Sequence, residues 1–354
     1  MARVVVAMSG GVDSSVAAAL LVRDGYEVIG VAMRLWAGPS ESGCCSLDDF
    51  LDARRVANRI GIPFYVMDFS VPFERHVVRP FVEEYLSGRT PNPCVLCNQF
   101  VKFDALWQRA RSLGAEYLAT GHYARVVRDM ETGAVQLRAA TYGAKDQSYF
   151  LFGIPRGLLE RLLLPVGDKT KEEVRGLARE WDLPVAEKPE SQEVCFVAGK
   201  SYAQFVEEYS GRAGRAGVIV DESGRVLASH KGIHRFTVGQ RRGLGIGVGS
   251  PRYVVSLESD TGTVRVGPKS ATVARALRAR NANWLVPALP EPGQPLSVKI
   301  RSRFQPVPAV VESVSQKDFV VRAPRGLQAV TPGQAAVLYD GDRVVGGGWI
   351  DVAL

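Results

Sequence analysis

At 354 residues, with 23% charged and 8% aromatic side chains, the chain has the composition of a folded soluble protein and room for two or three domains. Its net charge of +7 and pI near 9.2 suit a polyanionic partner without demanding one. No apolar run approaches the roughly 20 residues of a membrane helix, so no membrane partner is expected. The opening MARVVVAMSGG enters a strand at once rather than a signal peptide, and a cytoplasmic protein is expected. That strand is Arg3–Met8, and the helix SSVAAALLVRDG follows it and ends at Gly25. Tyr26–Met33 is a second strand, DDFLDARRVANRIG an amphipathic helix ending at Gly61, and PFYVMDF a third strand. VPFERHVVRPFVEEYLSG is mostly helical, QFVKFDALWQRARSLG is another helix, and AEYLATGHY is a fourth strand. Strands alternating with helices predict a parallel, doubly wound α/β sheet covered on both faces. Ligands of such sheets bind at the carboxyl ends of strands. Ser9–Ser15, Met33 and Gly121–His122 fall there.

After about Gly199 the pattern changes to short alternating strands with Gly and Asp turns: GVIVDESGRVLASH, RYVVSLESDTGTVRVG, SVKIRSRF, PAVVESVSQKDFVVRA and QAAVLYDGDRVVGGGWI. Two smaller β-rich domains are expected, the last a β-barrel. The proline-rich Val286–Pro295 marks a boundary or long loop.

SGGVDSS, Ser9 to Ser15, carries the first chemistry. Gly10 and Gly11 let backbone approach an anion, helix N-terminal amides point at it, and Ser9, Ser14 and Ser15 add hydroxyls. Asp13 suits a magnesium ion bridging phosphates. The loop lacks the lysine that ATP-hydrolysing loops place on the terminal phosphates. It therefore suits cleavage between the α- and β-phosphates, with pyrophosphate leaving and AMP passing to an acceptor oxygen. The bland reading is a serine-capped strand-to-helix turn.

The five cysteines are Cys44, Cys45, Cys94, Cys97 and Cys195, an odd count that argues for thiol, metal or redox chemistry. In TPNPCVLCN two prolines pin an extended loop, and Cys97 opens the following helix, where a thiolate is favoured. Cys94 and Cys97 form a Cys-x-x-Cys, which keeps structural zinc as an alternative. Cys195, in ESQEVCFVAGK, reads either as a core thiol or as part of a polar loop reaching the sheet edge. Cys44 and Cys45 receive no role. His122 in TGHYAR stands beside the nucleotide position. GAKDQSYFL mixes Lys145, Asp146 and Gln147 with rings, a pattern that suits RNA, although on its own it reads better as a solvated loop. FTVGQRRGLGIG supplies Arg241 and Arg242 among glycines. SVKIRSRF puts Lys299, Arg301 and Arg303 on one strand face, where like charges repel unless a polyanion lies there.

Taken in order, SGGVDSS, GRTPNPCVLCN, ATGHYAR, KDQSYFL, ESQEVCF, FTVGQRRGLGIG and PGQAAVLYDGDRVVGGGWI resemble the bacterial tRNA-specific 2-thiouridylases over essentially the whole chain. The resemblance implies a PP-loop domain of the adenine nucleotide α-hydrolase type at 1–200, a central β-rich linker domain at 201–275 and a tRNA-binding β-barrel at 276–354. It implies ATP on Ala7, Met8, Ser9, Gly10, Gly11, Val12, Asp13 and Ser14, with Met33 and Gly121. Cys97 is then the nucleophile and Cys195 the persulfide carrier. Asn92, Pro93 and Cys94 lie near the target base, and His122, Lys145, Asp146, Gln147, Arg301, Ser302 and Gln334 touch the tRNA. One departure is Cys94, where some members carry an aspartate proposed as an acid or base. Three cysteines also open a second reading from related thiolases, a [4Fe–4S] cluster on Cys94, Cys97 and Cys195.

The implied reaction is ATP-dependent adenylation of C2 of wobble uridine 34, in tRNAs of the Lys, Glu and Gln type, and its replacement by sulfur. Cys97 either attacks the Cys195 persulfide first or cleaves the S–S bond after the persulfide has attacked C2, and a reductant resets the resulting disulfide. The sulfur comes from a cysteine desulfurase or a sulfur-relay protein, and the uridine is flipped out to react. Two rivals stand beside this: an amide-forming adenylating ligase, which needs neither thiol, and a non-catalytic RNA-binding protein, which needs no phosphate loop.

Overall fold

Three consecutive buried valines, Val4, Val5 and Val6, make β1 (Arg3–Ala7) a strand that faces apolar neighbours on both sides, as a central parallel strand must. The computed structural model describes residues 1–36, 46–189, 194–197, 199–212, 214–247 and 249–354. Cys44, Cys45 and most of the polar lead before Cys195 lie outside these. In chain order come α1 (Val12–Arg23), β2 (Glu27–Arg34), α2 (Leu47–Ile60) and β3 (Phe64–Asp68). Helical turns follow as α3 (Ser70–Phe73), a π-wound stretch Glu74–Val78 and α4 (Arg79–Leu86). A second run comprises α5 (Pro93–Leu96), a π-wound stretch Cys97–Ala105 and α6 (Leu106–Ser112), and ends before β4 (Tyr117–Thr120). The hairpin β5 (Ala124–Arg128) and β6 (Val135–Ala139), the short β7 (Leu162–Leu163) and α7 (Lys171–Glu180) complete this part. The parallel sheet has the order β3-β2-β1-β4-β7.

Two compact units emerge, neither continuous in sequence. The first comprises Met1–Val77, Cys94–Gly199 and Asp342–Val344. Its core joins Val4, Val6 and Met8 to Val16 and Ala17 of α1 and Val174 and Ala178 of α7. The second comprises Val78–Pro93, Lys200–Gly341 and Val345–Leu354. Helix α4 belongs to it because Phe81 and Tyr85 pack on α8 (Tyr202–Ser210): Phe81 meets Phe205 edge-on at 6.1 Å, and Tyr85 stacks on Tyr202 at 4.8 Å.

The second unit holds two β structures. Strands β8 (Gly217–Val220), β9 (Val226–His230), β10 (Tyr253–Glu258) and β11 (Thr263–Gly267) form a sheet of order β10-β11-β8-β9 around Ile219, Phe236, Val254 and Val264. Then β12 (Val273–Trp284), β13 (Pro295–Lys299), β14 (Val307–Val314), β15 (Asp318–Gln328), β16 (Ala335–Asp340) and β17 (Arg343–Ala353) follow the order β12-β15-β14-β13-β16-β17. A β12–β17 pairing closes them into a six-stranded barrel filled by Leu277, Val298, Phe319, Val321, Leu338 and Ile350. Closure removes the exposed sheet edges.

Candidate functional site

The phosphate loop is drawn tight by its own serines. Ser14 Oγ donates to Gly11 O at 3.1 Å and accepts from Ser9 N at 3.2 Å, while Ser15 Oγ donates to Gly11 O at 2.9 Å. Gly11 is the N-cap of α1 and brings no side chain, so the first-turn amides remain for an anion. Two glycines are required by geometry. Gly10 sits at φ +74°, and a Cβ there would lie 2.3 Å from Asp49 O; a Cβ on Gly121 would lie 2.5 Å from Ser14 N. The end of β4 and the start of α1 thus meet where only glycine fits.

Around this loop lies a cavity of about 420 Å³ at the carboxyl ends of the strands. Ala7, Met8, Ser9, Gly11, Val12, Asp13, Ser14, Met33 and Gly121, all read from the sequence, line it. Gly10, also read from the sequence, is not among the lining residues and packs against the Asp49 backbone instead. His122, Lys145 and Gln147 line the same cavity, so these three sit with the nucleotide residues rather than on a separate patch.

The loop itself carries no lysine, but lysines from elsewhere in the chain reach its cavity. Lys102, Lys145, Lys171 and Lys188 all line the cavity, each from a different segment. Lys171 Nζ lies 2.7 Å from Asp13 Oδ1, and Tyr123 Oη donates to the same oxygen at 2.7 Å. Lys188 Nζ is held by Asp49 at 2.7 Å and Asp52 at 2.6 Å. Sequence reading missed Lys102, Lys171, Lys188 and Tyr123. The available signal for Lys171 was the capping box Thr170-x-x-Glu173, which fixes it as the first residue of α7. The imidazole of His122 packs against Phe103 at 5.9 Å, and its Nδ1 lies 2.8 Å from Thr120 Oγ1. Desolvation, then the positive charge of Lys102, holds its pKa well below the usual histidine value.

The family described as "tRNA methyl transferase HUP domain" matches residues 2–199, "tRNA methyl transferase PRC-barrel domain" matches 203–268, and "Aminomethyltransferase beta-barrel domain" matches 274–350. The tRNA-specific 2-thiouridylase MnmA of Solibacter usitatus is 49% identical over 366 residues, covering 98% of this chain and 99% of that one. That of Geobacter metallireducens is 50% identical over 360 residues, covering 99% and 97%. The chain belongs to the tRNA-specific 2-thiouridylase family.

In this thiouridylase the helix bearing Cys97 starts earlier than expected. Pro93 presets the helical φ, so α5 begins there, and Cys97 lies one turn inside rather than at the N-terminus. The prolines start a helix where an extended loop was expected, and Cys94 takes the first turn. Cys94 is exposed, Cys97 buried and Cys195 half-buried. Phe196, next to Cys195, meets Phe73 of α3 at 5.6 Å, and α3 also packs against the Cys97–Ala105 helix. The two thiol-bearing segments therefore share one neighbour.

Several residues expected at tRNA have structural partners. Asp146 Oδ1 accepts from Ala140 N and Ser148 N at 3.1 Å each, bracing its loop. Strand β13 stops at Lys299, which is buried, so the predicted basic face does not continue. Arg301 Nη2 lies 3.1 Å from Val238 O, 2.8 Å from Ala329 O and 2.7 Å from Thr331 Oγ1, which turns the guanidinium inward. Ser302 is half-buried and Arg303 exposed in the turn that follows. Gln334 Nε2 donates to Thr90 O at 3.0 Å and Pro91 O at 2.9 Å, holding the backbone just ahead of the buried Asn92 and Pro93. Arg241 and Arg242 are exposed in a loop whose Gly239 and Gly243 are left-handed.

Proposed function

We propose that this family member is a tRNA-uridine 2-sulfurtransferase that adenylates C2 of wobble uridine 34 and replaces its oxygen with sulfur. The observation that carries the adenylation step is the cavity around Ser9–Ser14: loop, uncapped helix start and lysines converge at the strand ends. The uridine O2 bonds to the α-phosphorus, the bridging P–O bond breaks with its electrons on pyrophosphate, and the N3 proton leaves to water. Serine hydroxyls and first-turn amides hold the departing phosphates. Asp13, with a hard carboxylate oxygen on the cavity wall, fits a magnesium ion, which would neutralise phosphate charge there.

Cys195 receives sulfur as a persulfide from a cysteine desulfurase or sulfur-relay protein. Its terminal sulfur attacks C2 and AMP leaves. The Cys97 thiolate then attacks Cys195 Sγ, leaving sulfur on C2 and a Cys97–Cys195 disulfide for an external thiol to reduce. Among the described residues no group of three His, Cys, Asp or Glu side chains is arranged to hold a metal ion, which supports the relay rather than a [4Fe–4S] cluster. Residues 1–200 carry the chemistry, 201–275 link, and 276–354 with the Arg241–Arg242 loop bear the tRNA, of Lys, Glu or Gln type. No helix among the described residues is long and apolar enough to cross a membrane.

The test is product analysis. Wild-type protein with tRNA, ATP and a persulfide donor should give AMP, pyrophosphate and 2-thiouridine by mass spectrometry, whereas ADP and phosphate would overturn the reading. Cys195→Ala should take up no persulfide, Cys97→Ala should load but not transfer sulfur, and Cys94→Ala should keep substantial activity. Stoichiometric iron with a dead Cys94→Ala variant would instead establish the cluster.

A further inference from the structure

We infer that Cys94 is the resolving thiol of the relay: after sulfur transfer it bonds to Cys97, frees Cys195 to be loaded again and brings the disulfide to the surface. This rests on the sulfur-relay reading above and gives a role to the third cysteine, which neither accepts nor delivers sulfur there. The three thiols are graded in exposure. Cys97 is only 8% exposed, Cys195 is half-buried and Cys94 is exposed. Thiol–disulfide exchange needs the attacking sulfur to reach one sulfur of the bond it breaks. Cys97 offers a protein reductant almost no surface. Attack on Cys195 instead would leave the reductant bonded to the thiol that must accept the next sulfur.

Cys94 is placed to reach Cys97 from outside. The helical segments Pro93–Leu96, Cys97–Ala105 and Leu106–Ser112 follow one another without a break. Residues three apart on a helix share a face, with Cβ atoms about 5–6 Å apart. A disulfide wants about 3.5–4.5 Å between Cβ atoms, so the pair closes with a small local shift. The first turn is the part of a helix least tied by its own hydrogen bonds, which leaves room for that shift. The same position favours a thiolate on Cys94, the second residue of the run. In the exchange the Cys94 thiolate attacks Cys97 Sγ of the Cys97–Cys195 disulfide. A Cys94–Cys97 bond forms, the Cys97–Cys195 bond breaks, and the electron pair leaves on Cys195 Sγ, which takes a proton from water. This step moves the disulfide and gains no electrons. The reducing electrons come from an external dithiol protein. One of its thiolates attacks the exposed Cys94 Sγ, and Cys97 leaves as a thiolate. Its second thiol then closes the reductant's own disulfide and releases Cys94.

The experiment follows the disulfide by mass spectrometry. The full chain is loaded by a cysteine desulfurase with cysteine, separated from the donor, and given ATP and tRNA without reductant. Thiols are then blocked with N-ethylmaleimide and the protein is cut with trypsin. Cleavage after Arg89 and Lys102 leaves Cys94 and Cys97 on one peptide and Cys195 on another, so the two disulfides differ as a loop and a cross-link. Wild type should end with the loop, and Cys94→Ser with the cross-link alone. Under multiple turnover with a thioredoxin-type dithiol protein, Cys94→Ser should form a single 2-thiouridine per chain and stall. That first turnover reports a folded variant. A large excess of a small thiol, which enters the site itself, should restore most of the turnover, the condition in which the Cys94→Ala protein above stays active. Wild type that ends with the cross-link, or a Cys94→Ser protein that keeps turning over with the dithiol protein, would overturn the inference and leave the relay intact. Formation of 2-thiouridine with neither disulfide would refute the relay reading itself.

Discussion

Replacing Asp13 by asparagine should lower stability as well as activity. From sequence, Asp13 stands at an exposed sheet edge, where its loss would leave the fold intact. In the structure it is the counter-ion of a nearly buried lysine: Lys171 is 9% exposed, Asp13 30%, and their atoms are 2.7 Å apart. Removing one partner of a fully buried pair costs about 3–5 kcal/mol because the other charge is left uncompensated. Asp13 is partly wet, so screening reduces this to about 2 kcal/mol. For a unit of this size that is a fall in Tm of about 4–8 °C. Differential scanning calorimetry of Asp13→Asn, Lys171→Met and the double variant measures it as a cycle. The double variant should recover at least about 1 kcal/mol relative to the summed singles, because the stranded charge is gone. Strict additivity, or an Asp13→Asn protein melting with wild type, would refute the pairing argument.

Gln334→Ala removes the donor to two backbone carbonyls and should cost about 1–3 kcal/mol, read by urea unfolding. A residue that only touches tRNA would leave the midpoint unmoved and raise KM for tRNA. Log affinity for tRNA should fall linearly with log salt, and Arg241→Ala with Arg242→Ala should flatten that slope by about 0.7–0.9 for each phosphate no longer neutralised; an unchanged slope removes this loop from the interface. Arg301→Ala should instead mainly lower the melting temperature, since its guanidinium holds Val238, Ala329 and Thr331. His122 should stay neutral where an ordinary histidine titrates, and Lys102→Met should raise its pKa, both visible by ¹⁵N NMR. Because the folded pKa is depressed, the unfolded chain binds the extra proton first, so stability falls as pH drops below about 6.5 and continues to fall towards the lowered value. Titration of His122 near 6.5 in the folded protein would contradict its desolvation.

The parallel sheet was legible because its strands are short apolar runs between helices with clear ends: Gly61 closes α2 in the left-handed conformation, as the RIG ending predicts. The phosphate loop was legible because its glycines and serines act locally. The short β7, only Leu162–Leu163, carries no periodicity to read, and the β5–β6 hairpin was passed over although Gly133 marks its turn. Cys97 was placed at a helix start because the prolines read as loop formers, when Pro93 in fact begins the helix. Alternation along SVKIRSRF implied three exposed charges, but strand pairing ends at Lys299 and Arg301 finds carbonyls from two distant segments. Lys171 and Asp13, 158 positions apart, meet only through tertiary structure, which no local pattern encodes.

The dispersal of the cavity's cations has a consequence for synthesis. Lys102, Lys145, Lys171 and Lys188 enter the growing chain one after another, long after the glycine-rich loop has left the ribosome. A nascent chain carrying SGGVDSS but not yet α7 has a cradle without its counter-charges. A chain that ends before α7 lacks Lys171 and Lys188, so the charge of the cavity wall is complete only once most of the first unit has been made.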